Sequence, residues 1–431
     1  MEKKIPRLRL VSSQPSTAAP KIHAEWPRTI DLFCGAGGIT EGFRQAGYAC
    51  LYGNDVMPEA VETFKLNHPG AIADCRPIEK VDPAEIRAQI GLQAGELDVL
   101  VGGPPCQGFS INAPERFLND PRNKLFRHYE RFLEEFQPKT FLFENVPGLL
   151  SLGDGKVFRQ IINIFTALGY SVTAKILFAA HYGVPQERWR LILLGSRMSE
   201  VAHPEPTHFA GGRANFRGGS TMTFQLDDSD RERLRAAVTV RQAIGDLPRL
   251  EMGEGAEVIH YDNGGSADSG YAKLMRNPAG MTFNHYAAKL SKQNADRMKY
   301  VKPGGSWRDI PYKLLPKGMQ RARRSDHTKR YGRLHPDGLA CTVLTKCDPH
   351  WGTVFLPDQN RALTVREAAR FQSFPDTYKF LGSRVSQYEQ VGNAVPVLMA
   401  RAIAGQLRTH LEERTPGTKS VRRQTKELAF G

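Results

Sequence analysis

At 431 residues the chain is longer than one ordinary domain of about 100–200 residues, and its 40% hydrophobic content supports a sizeable core. Charged residues make up 24%, which excludes a wholly disordered chain, and no apolar run approaches the roughly 18 residues of a membrane helix. Fifty-nine Lys and Arg against 45 Asp and Glu leave +14, which points to a polyanionic partner, nucleic acid before a membrane surface.

Residues 1–28 carry a net +4 and lack the apolar segment of a secretory signal, so they read as a flexible basic tail. From 29 to 200, short apolar runs recur at 28–33, 97–103, 139–146 and 189–195. Each ends in Gly, Pro or a polar group, as buried parallel strands do. Helix-like stretches separate them. In 122–136, Leu125, Phe126, Tyr129, Phe132, Leu133 and Phe136 share one face. Asn119 or Asp120 can cap its start, and Pro138 forbids its continuation. The alternation predicts an α/β domain with a doubly wound, mostly parallel sheet.

Three motifs sit at predicted strand ends. Asp31-Leu32-Phe33-Cys34-Gly35-Ala36-Gly37-Gly38 is a Gly-rich strand-to-helix turn, followed some twenty residues later by Asp55. Such a turn suits a dinucleotide or S-adenosylmethionine, with the acid on ribose hydroxyls, and also occurs as a purely structural turn. In Gly102-Gly103-Pro104-Pro105-Cys106-Gln107-Gly108-Phe109-Ser110, two prolines fix the backbone before a cysteine at the ligand edge of the sheet. A lone Cys is usually a small buried hydrophobe, but this setting makes Cys106 a candidate nucleophile. Glu144-Asn145-Val146-Pro147 adds a strand-end carboxylate, which caps a helix or works as an acid or hydrogen-bonding group.

Residues 201–354 are rich in Gly, Pro and Ser and read as a second, smaller, loop-rich domain. Within it, 270–335 hold sixteen Lys and Arg against three Asp, a net +13, with Arg321, Arg323 and Arg324 the densest cluster. Tyr271, Phe283, His285, Tyr286, Trp307, Tyr312 and Tyr331 lie among these cations, a mixture that suits phosphates and bases. Helical patterning returns over 355–407, where Thr364 and Glu367 are spaced as a capping box, echoed by TVRQA at 239–243. Residues 408–431 read as a second basic tail. The six cysteines form no CxxC pair, so neither a zinc site nor a disulfide framework is expected, and a reducing cytoplasmic setting fits.

DLFCGAGG, GGPPCQGFS, ENVPGL, YGVPQERWRLILLG, YGRLHPDGLACTV and VGNAVPVLMARAIA follow one another in this order. Together they resemble the DNA (cytosine-5)-methyltransferases of bacterial type, over roughly 29–200 and 331–407. The resemblance implies a Rossmann-like methyltransferase fold, with 201–354 as target-recognition domain and 355–407 returning to the catalytic domain. It implies S-adenosylmethionine as cofactor and S-adenosylhomocysteine as product. Phe33, Gly35, Gly37 and Gly38 would line the cofactor pocket, with Asp55 on the ribose and Asp74 and Cys75 at the adenine. Pro105 and Leu125 would close the pocket, and Asn393 and Val395 would reach it from the far end of the chain.

Cys106 matches the family's nucleophile, Glu144 the residue that holds cytosine, and Arg188 and Arg190 the arginines of the catalytic pocket. Gln107, Phe109 and Ser110 open the loop that closes over DNA. Arg321, Arg323 and Arg324 would contact phosphate by default. Where the family has Asp, this chain has His181, but the Gly-Val-Pro-Gln-x-Arg core is intact. Duplex DNA is the implied partner, read by a monomer, with restriction or phage-defence proteins as further partners. A dinucleotide oxidoreductase leaves Pro-Pro-Cys and the basic block unexplained. A non-catalytic DNA-binding relative would lack the nucleophile. A tRNA-modifying relative would depart after the Cys and have a smaller recognition region.

Overall fold

The computed structural model describes residues 25–105, 125–212, 221–261, 266–326 and 328–414. Its centre is a seven-stranded sheet: β1 (Arg28–Leu32), β2 (Ala49–Asn54), β3 (Ile72–Asp74), β4 (Val99–Gly102), β5 (Thr140–Asn145), β6 (Ser171–Phe178) and β7 (Trp189–Ser196). The spatial order is β3-β2-β1-β4-β5-β7-β6. Strands β1 to β5 pair in parallel, and β7 runs antiparallel to both β5 and β6. The mostly parallel expectation holds, with β7 as its exception. Strands β3 and β6 are additions to the reading: β3 has three residues, and the first half of β6 is only partly buried.

Alternation explains why the sheet needs cover on both faces. Val99, Val101, Leu142, Ile192 and Leu194 pack with Ile39, Phe43, Leu398 and Ile403 on one side. Leu100, Phe141, Phe143, Leu191 and Leu193 pack with Phe132, Phe136 and Phe165 on the other. The helices are α1 (Gly38–Gln45), α2 (Pro58–Asn67), α3 (Pro83–Gln89), α4 (Leu125–Phe136) and α5 (Lys156–Ala167). In α4 the predicted apolar face is buried, and Tyr129 donates its hydroxyl to Leu100 O and Leu142 O, tying β4 to β5. The capping candidates Asn119 and Asp120 lie outside the described residues.

The last helix, Val397–Arg414, lies against α1. A β-carbon on Gly38 would stand 2.5 Å from Val395 O, so only glycine admits the returning chain there. Tyr48 donates to Ala404 O at 3.1 Å, and Arg408 Nη1 donates to Ala46 O and Gly47 O. The helix therefore runs seven residues past the boundary expected at 407 and is anchored there. No helix among the described residues is long and apolar enough to cross a membrane.

Val201, Val240, Ile244, Tyr261, Tyr271 and Met275 belong to the same core as the catalytic sheet. A separate small core is built from Met298, Val301, Trp307, Ile310, Leu315, Met319, Tyr331, Val354 and Phe355. Both Thr-capped starts form full capping boxes, Thr239 with Gln242 and Thr364 with Glu367. Behind the second, the helix Val365–Phe371 carries buried cations into the seam. Arg370 pairs with Asp376 at 2.6 Å and Asp246 at 3.0 Å, and Arg361 pairs with Glu367 at 2.7 Å.

Candidate active site

The ends of β1, β2 and β3 place one group of predicted residues on the sheet's carboxyl edge. After β1 the chain turns through left-handed conformations at Phe33 (φ 58°), Gly35 (φ 52°) and Gly37 (φ 90°). Gly35 donates its N–H to Asp55 Oδ2 at 2.9 Å, and Met57 N donates to Asp55 Oδ1 at 2.9 Å. A β-carbon on Gly35 would meet nothing within 4 Å, whereas one on Gly37 would strike His68 and Tyr378 at 2.7 Å. The two glycines thus do different work: Gly35 borders open space and Gly37 permits packing. Tyr378, far along the chain, donates its hydroxyl to Ala36 O and closes this turn from outside.

Two carboxylates here are shifted by burial. Asp31 is fully enclosed and pushed up by burial to about 7, with the Thr40 hydroxyl, 2.6 Å from Oδ2, and the Thr40 backbone N–H opposing the shift. Its Oδ1 has no hydrogen-bond partner among the described residues. Asp55 is also raised by burial, against the N–H groups of Met57 and Gly35. Asp74 differs: Arg76 clasps its carboxylate at 2.8 Å, and Tyr52 donates to it at 2.8 Å. Burial raises this carboxyl, but the hydrogen bonds from Arg76 and Tyr52 outweigh it and hold it below the usual range. Its side chain is thus engaged within the protein, while Cys75 beside it is exposed. A nucleotide-like cofactor fits this edge through the Gly35 opening and the remaining lone pairs of Asp55.

The ends of β4, β5 and β7 gather a second group. Glu144 lies beside Gly103, where a β-carbon would stand 2.7 Å from Glu144 Oε2. Arg190 Nε meets Glu144 Oε1 at 2.6 Å, and both side chains are mostly buried. Burial raises the Glu144 carboxyl, while Arg190 and then Arg188 pull it back. Arg188 does not bond Glu144. It donates to Gly392 O at 2.9 Å and Val343 O at 3.5 Å, so it pins the late Val-Gly-Asn-Ala-Val segment to the catalytic body. Burial pulls this guanidinium well below its usual value, with Arg190 adding repulsion and Glu144 opposing. Asn145 Nδ2 donates to Pro104 O at 3.1 Å, fixing the turn that leads to Cys106.

Cys106, Gln107, Phe109 and Ser110 lie outside the described residues. Pro104 is buried, Pro105 is exposed, and Leu125 is half-buried against the core. Asn393 is exposed, whereas Val395 is buried in the core and offers its carbonyl to the Gly38 contact. His181, in the place of the expected Asp, reaches Ala210 O at 3.2 Å through Nε2 and accepts from Thr207 through its own carbonyl.

Asn145 and Gln186 were missed as site-building residues. Gln186 accepts from Val343 N at 2.8 Å and donates to Phe371 O at 2.9 Å. For Asn145 the signal was a polar residue beside Glu144 at an otherwise apolar strand end; Gln186 sits in the loop before β7, in the Gly-Val-Pro-Gln-x-Arg run.

The basic domain keeps its cations but loses most of its expected aromatic surface. Tyr271, His285, Trp307 and Tyr331 are buried, His285 between Thr364 Oγ1 and Pro248 O. Trp307 and Tyr331 fill the small, loop-rich core, which needs large apolar rings, whereas Tyr271 joins the core of the catalytic sheet. Arg321, Arg323 and Arg324 are exposed, and none forms an ion pair among the described residues.

Comparison with known proteins follows this geometry. The profile of the family described as C-5 cytosine-specific DNA methylase matches residues 27–409. The chain is 36% identical to the Type II methyltransferase M.AgeI of Thalassovita gelatinovora, over 88% of this chain and 98% of the relative. It is 33% identical to the Type II methyltransferase M.DdeI of Desulfomicrobium norvegicum, over 89% of each. In structure it is similar to a prophage-encoded DNA modification methyltransferase from E. coli, with TM-score 0.66 and 23% identity over 89% of this chain and 99% of that one.

Proposed function

Because the chain belongs to the family of C-5 cytosine-specific DNA methylases, we propose that it methylates C5 of a cytosine swung out of a specific duplex DNA site, through a covalent bond from Cys106 to C6. The donor in this family is S-adenosylmethionine. The observation that carries the reading is the buried Glu144–Arg190 pair, 2.6 Å apart, beside the Gly103–Pro105 turn that leads into Cys106.

Carbon 5 of cytosine is a weak nucleophile. Addition of the Cys106 thiolate to C6 pushes electrons through the ring and makes C5 the nucleophilic end of an enamine. Glu144, kept toward its protonated form by burial, donates to N3 and accepts from the amino group, stabilising the electrons pushed into the ring. Arg190 fixes the orientation of that carboxyl group. Gly35 and Asp55 would hold the cofactor, which when bound would supply an electrophilic methyl group. Loss of the C5 proton to a base then expels the thiolate and restores the ring. Extruding the base from the stack costs a few kcal/mol, repaid by contacts in the pocket and along the duplex.

The basic segment 270–335 grips the phosphates, with Arg321, Arg323 and Arg324 among the contacts. The Type II methyltransferase relatives support a place in restriction–modification, with phage defence as the wider setting. The test is transfer of a labelled methyl group to duplex DNA by the wild type and by Cys106→Ala. The variant should lose transfer while keeping cofactor affinity, and transfer at the wild-type rate would refute the covalent mechanism. Sequencing methylated positions in DNA from expressing cells identifies the site.

A further inference from the structure

Trp351 is 57% exposed, whereas tryptophan is highly buried on average. It stands in the turn 348–352, just before the strand Thr353–Phe355. The turn is firmly held: Trp351 N donates to Asp348 O at 3.0 Å, His350 N to Asp348 Oδ1 at 2.9 Å, and Tyr331 N to Pro349 O at 2.6 Å. The Arg330 guanidinium lies 4.9 Å from the ring centroid, and the His350 ring meets it edge-on at 5.2 Å. Leu344, 39% exposed, lies alongside, because a β-carbon on Gly352 would stand 2.8 Å from Leu344 Cδ1.

This ridge adjoins the catalytic block through the chain itself. Val343, next to Leu344, donates its N–H to Gln186 and accepts from Arg188. Exposed Lys329 and Lys346 flank it. An apolar aromatic edge that Arg330 ties to the neighbouring +13 segment, 270–335, is complementary to DNA, which offers negative phosphates around π-faced bases.

We propose that Trp351, backed by Leu344, packs on the base face left unstacked beside the extruded cytosine. The proposal rests on the base-extrusion reading above. Extrusion strips one stacking partner from each neighbouring base. A fixed aromatic ring packed there replaces that partner and lowers the cost of the open state.

The test begins with bisulfite sequencing of plasmid DNA from expressing cells, which maps the methylated site. A short duplex carrying it is prepared with the target cytosine paired to guanine or opposed by adenine. The wild type, Trp351→Ala and Trp351→Phe are titrated on both. The Ala variant should bind the paired duplex about ten-fold more weakly, within the range for loss of one base–aromatic stack. The loss should be smaller on the mismatch, which has already given up part of its stacking, and Phe should recover most of the affinity. Plots of log Kd against log salt should keep their slope, because no phosphate contact is removed. Unchanged affinity in the Ala variant overturns the proposal. So does an equal loss on both duplexes, which marks an ordinary groove or folding contact. Failure of the underlying reading looks different: the wild type then leaves no methylated cytosine to map, and both fall.

Discussion

Replacing Glu144 by Gln is the most informative single perturbation of the proposed centre. The substitution keeps the side chain's shape and one acceptor oxygen but removes the carboxylate facing Arg190 at 2.6 Å. Arg190 and Arg188 are then left as two mostly buried cations with no counter-charge at that position. Removing one partner of a buried pair costs about 3–5 kcal/mol, and the retained amide oxygen should cut this to roughly 2 kcal/mol. The catalytic loss is larger in consequence. Gln donates from a fixed amide and cannot pass a proton to N3, so kcat should fall by about 10²–10³, the size of one lost transition-state donor. Initial rates of labelled methyl transfer at saturating DNA and cofactor measure this, with melting and cofactor calorimetry run in parallel. Cofactor affinity should hold, since Glu144 lies at the other group of strand ends. A Gln variant within about three-fold of wild-type kcat, folded and cofactor-bound, would refute the assignment of Glu144 to the cytosine.

Gly38→Ala puts a methyl group 2.5 Å from a backbone carbonyl and should cost about 1–3 kcal/mol through overpacking, seen as a lower Tm; an unchanged Tm would mean the C-terminal segment yields freely. Asp376→Asn should destabilise by about 3–5 kcal/mol, because Arg370, 2.6 Å away, is fully buried. Burial alone would raise the Asp376 carboxyl, but Arg370 holds it below its unfolded value of 3.8. Its stabilising contribution is therefore complete above about pH 4 and fades as pH falls through the lower folded value, and acid melting curves of the Asn variant should lack that component. Joint replacement of Arg321, Arg323 and Arg324 by Gln should flatten the salt dependence of DNA binding by about 2–3 in log–log slope, between about 50 and 200 mM; an unchanged slope would place the cluster off the DNA.

Where apolar alternation was strong, the sequence was a direct guide. Strands β1, β4, β5 and β7 and the buried face of α4 follow the expected runs. The Gly-rich turn, Asp55 and Glu144 stood out as candidates because chemistry at a sheet edge needs particular residue types at strand ends, and Arg190 through the family resemblance. Arg188 was also visible, but its carbonyl partners at Gly392 and Val343 depend on contacts across more than 150 residues, which no local pattern encodes. Burial of the aromatic residues failed for a related reason. Trp307 and Tyr331 read as surface groups among cations, yet a small core with little regular structure has few other large side chains to fill it. Trp351 has the opposite fate, and its sequence neighbourhood, Asp-Pro-His-Trp-Gly, gives only a turn.

The covering of α1 by the last helix also has a consequence for synthesis. Tyr48 and its partner Ala404 are 356 residues apart. At about 5–20 residues per second, a ribosome takes on the order of 20–70 s to make the second after the first. For that interval Gly38 and Gly42 of α1 lack the C-terminal segment that packs against them, and the turn bearing Gly35 lacks the contacts that close it. The proposed methyl-donor site is thus completed among the last events of translation, and a prematurely released chain has that site unfinished.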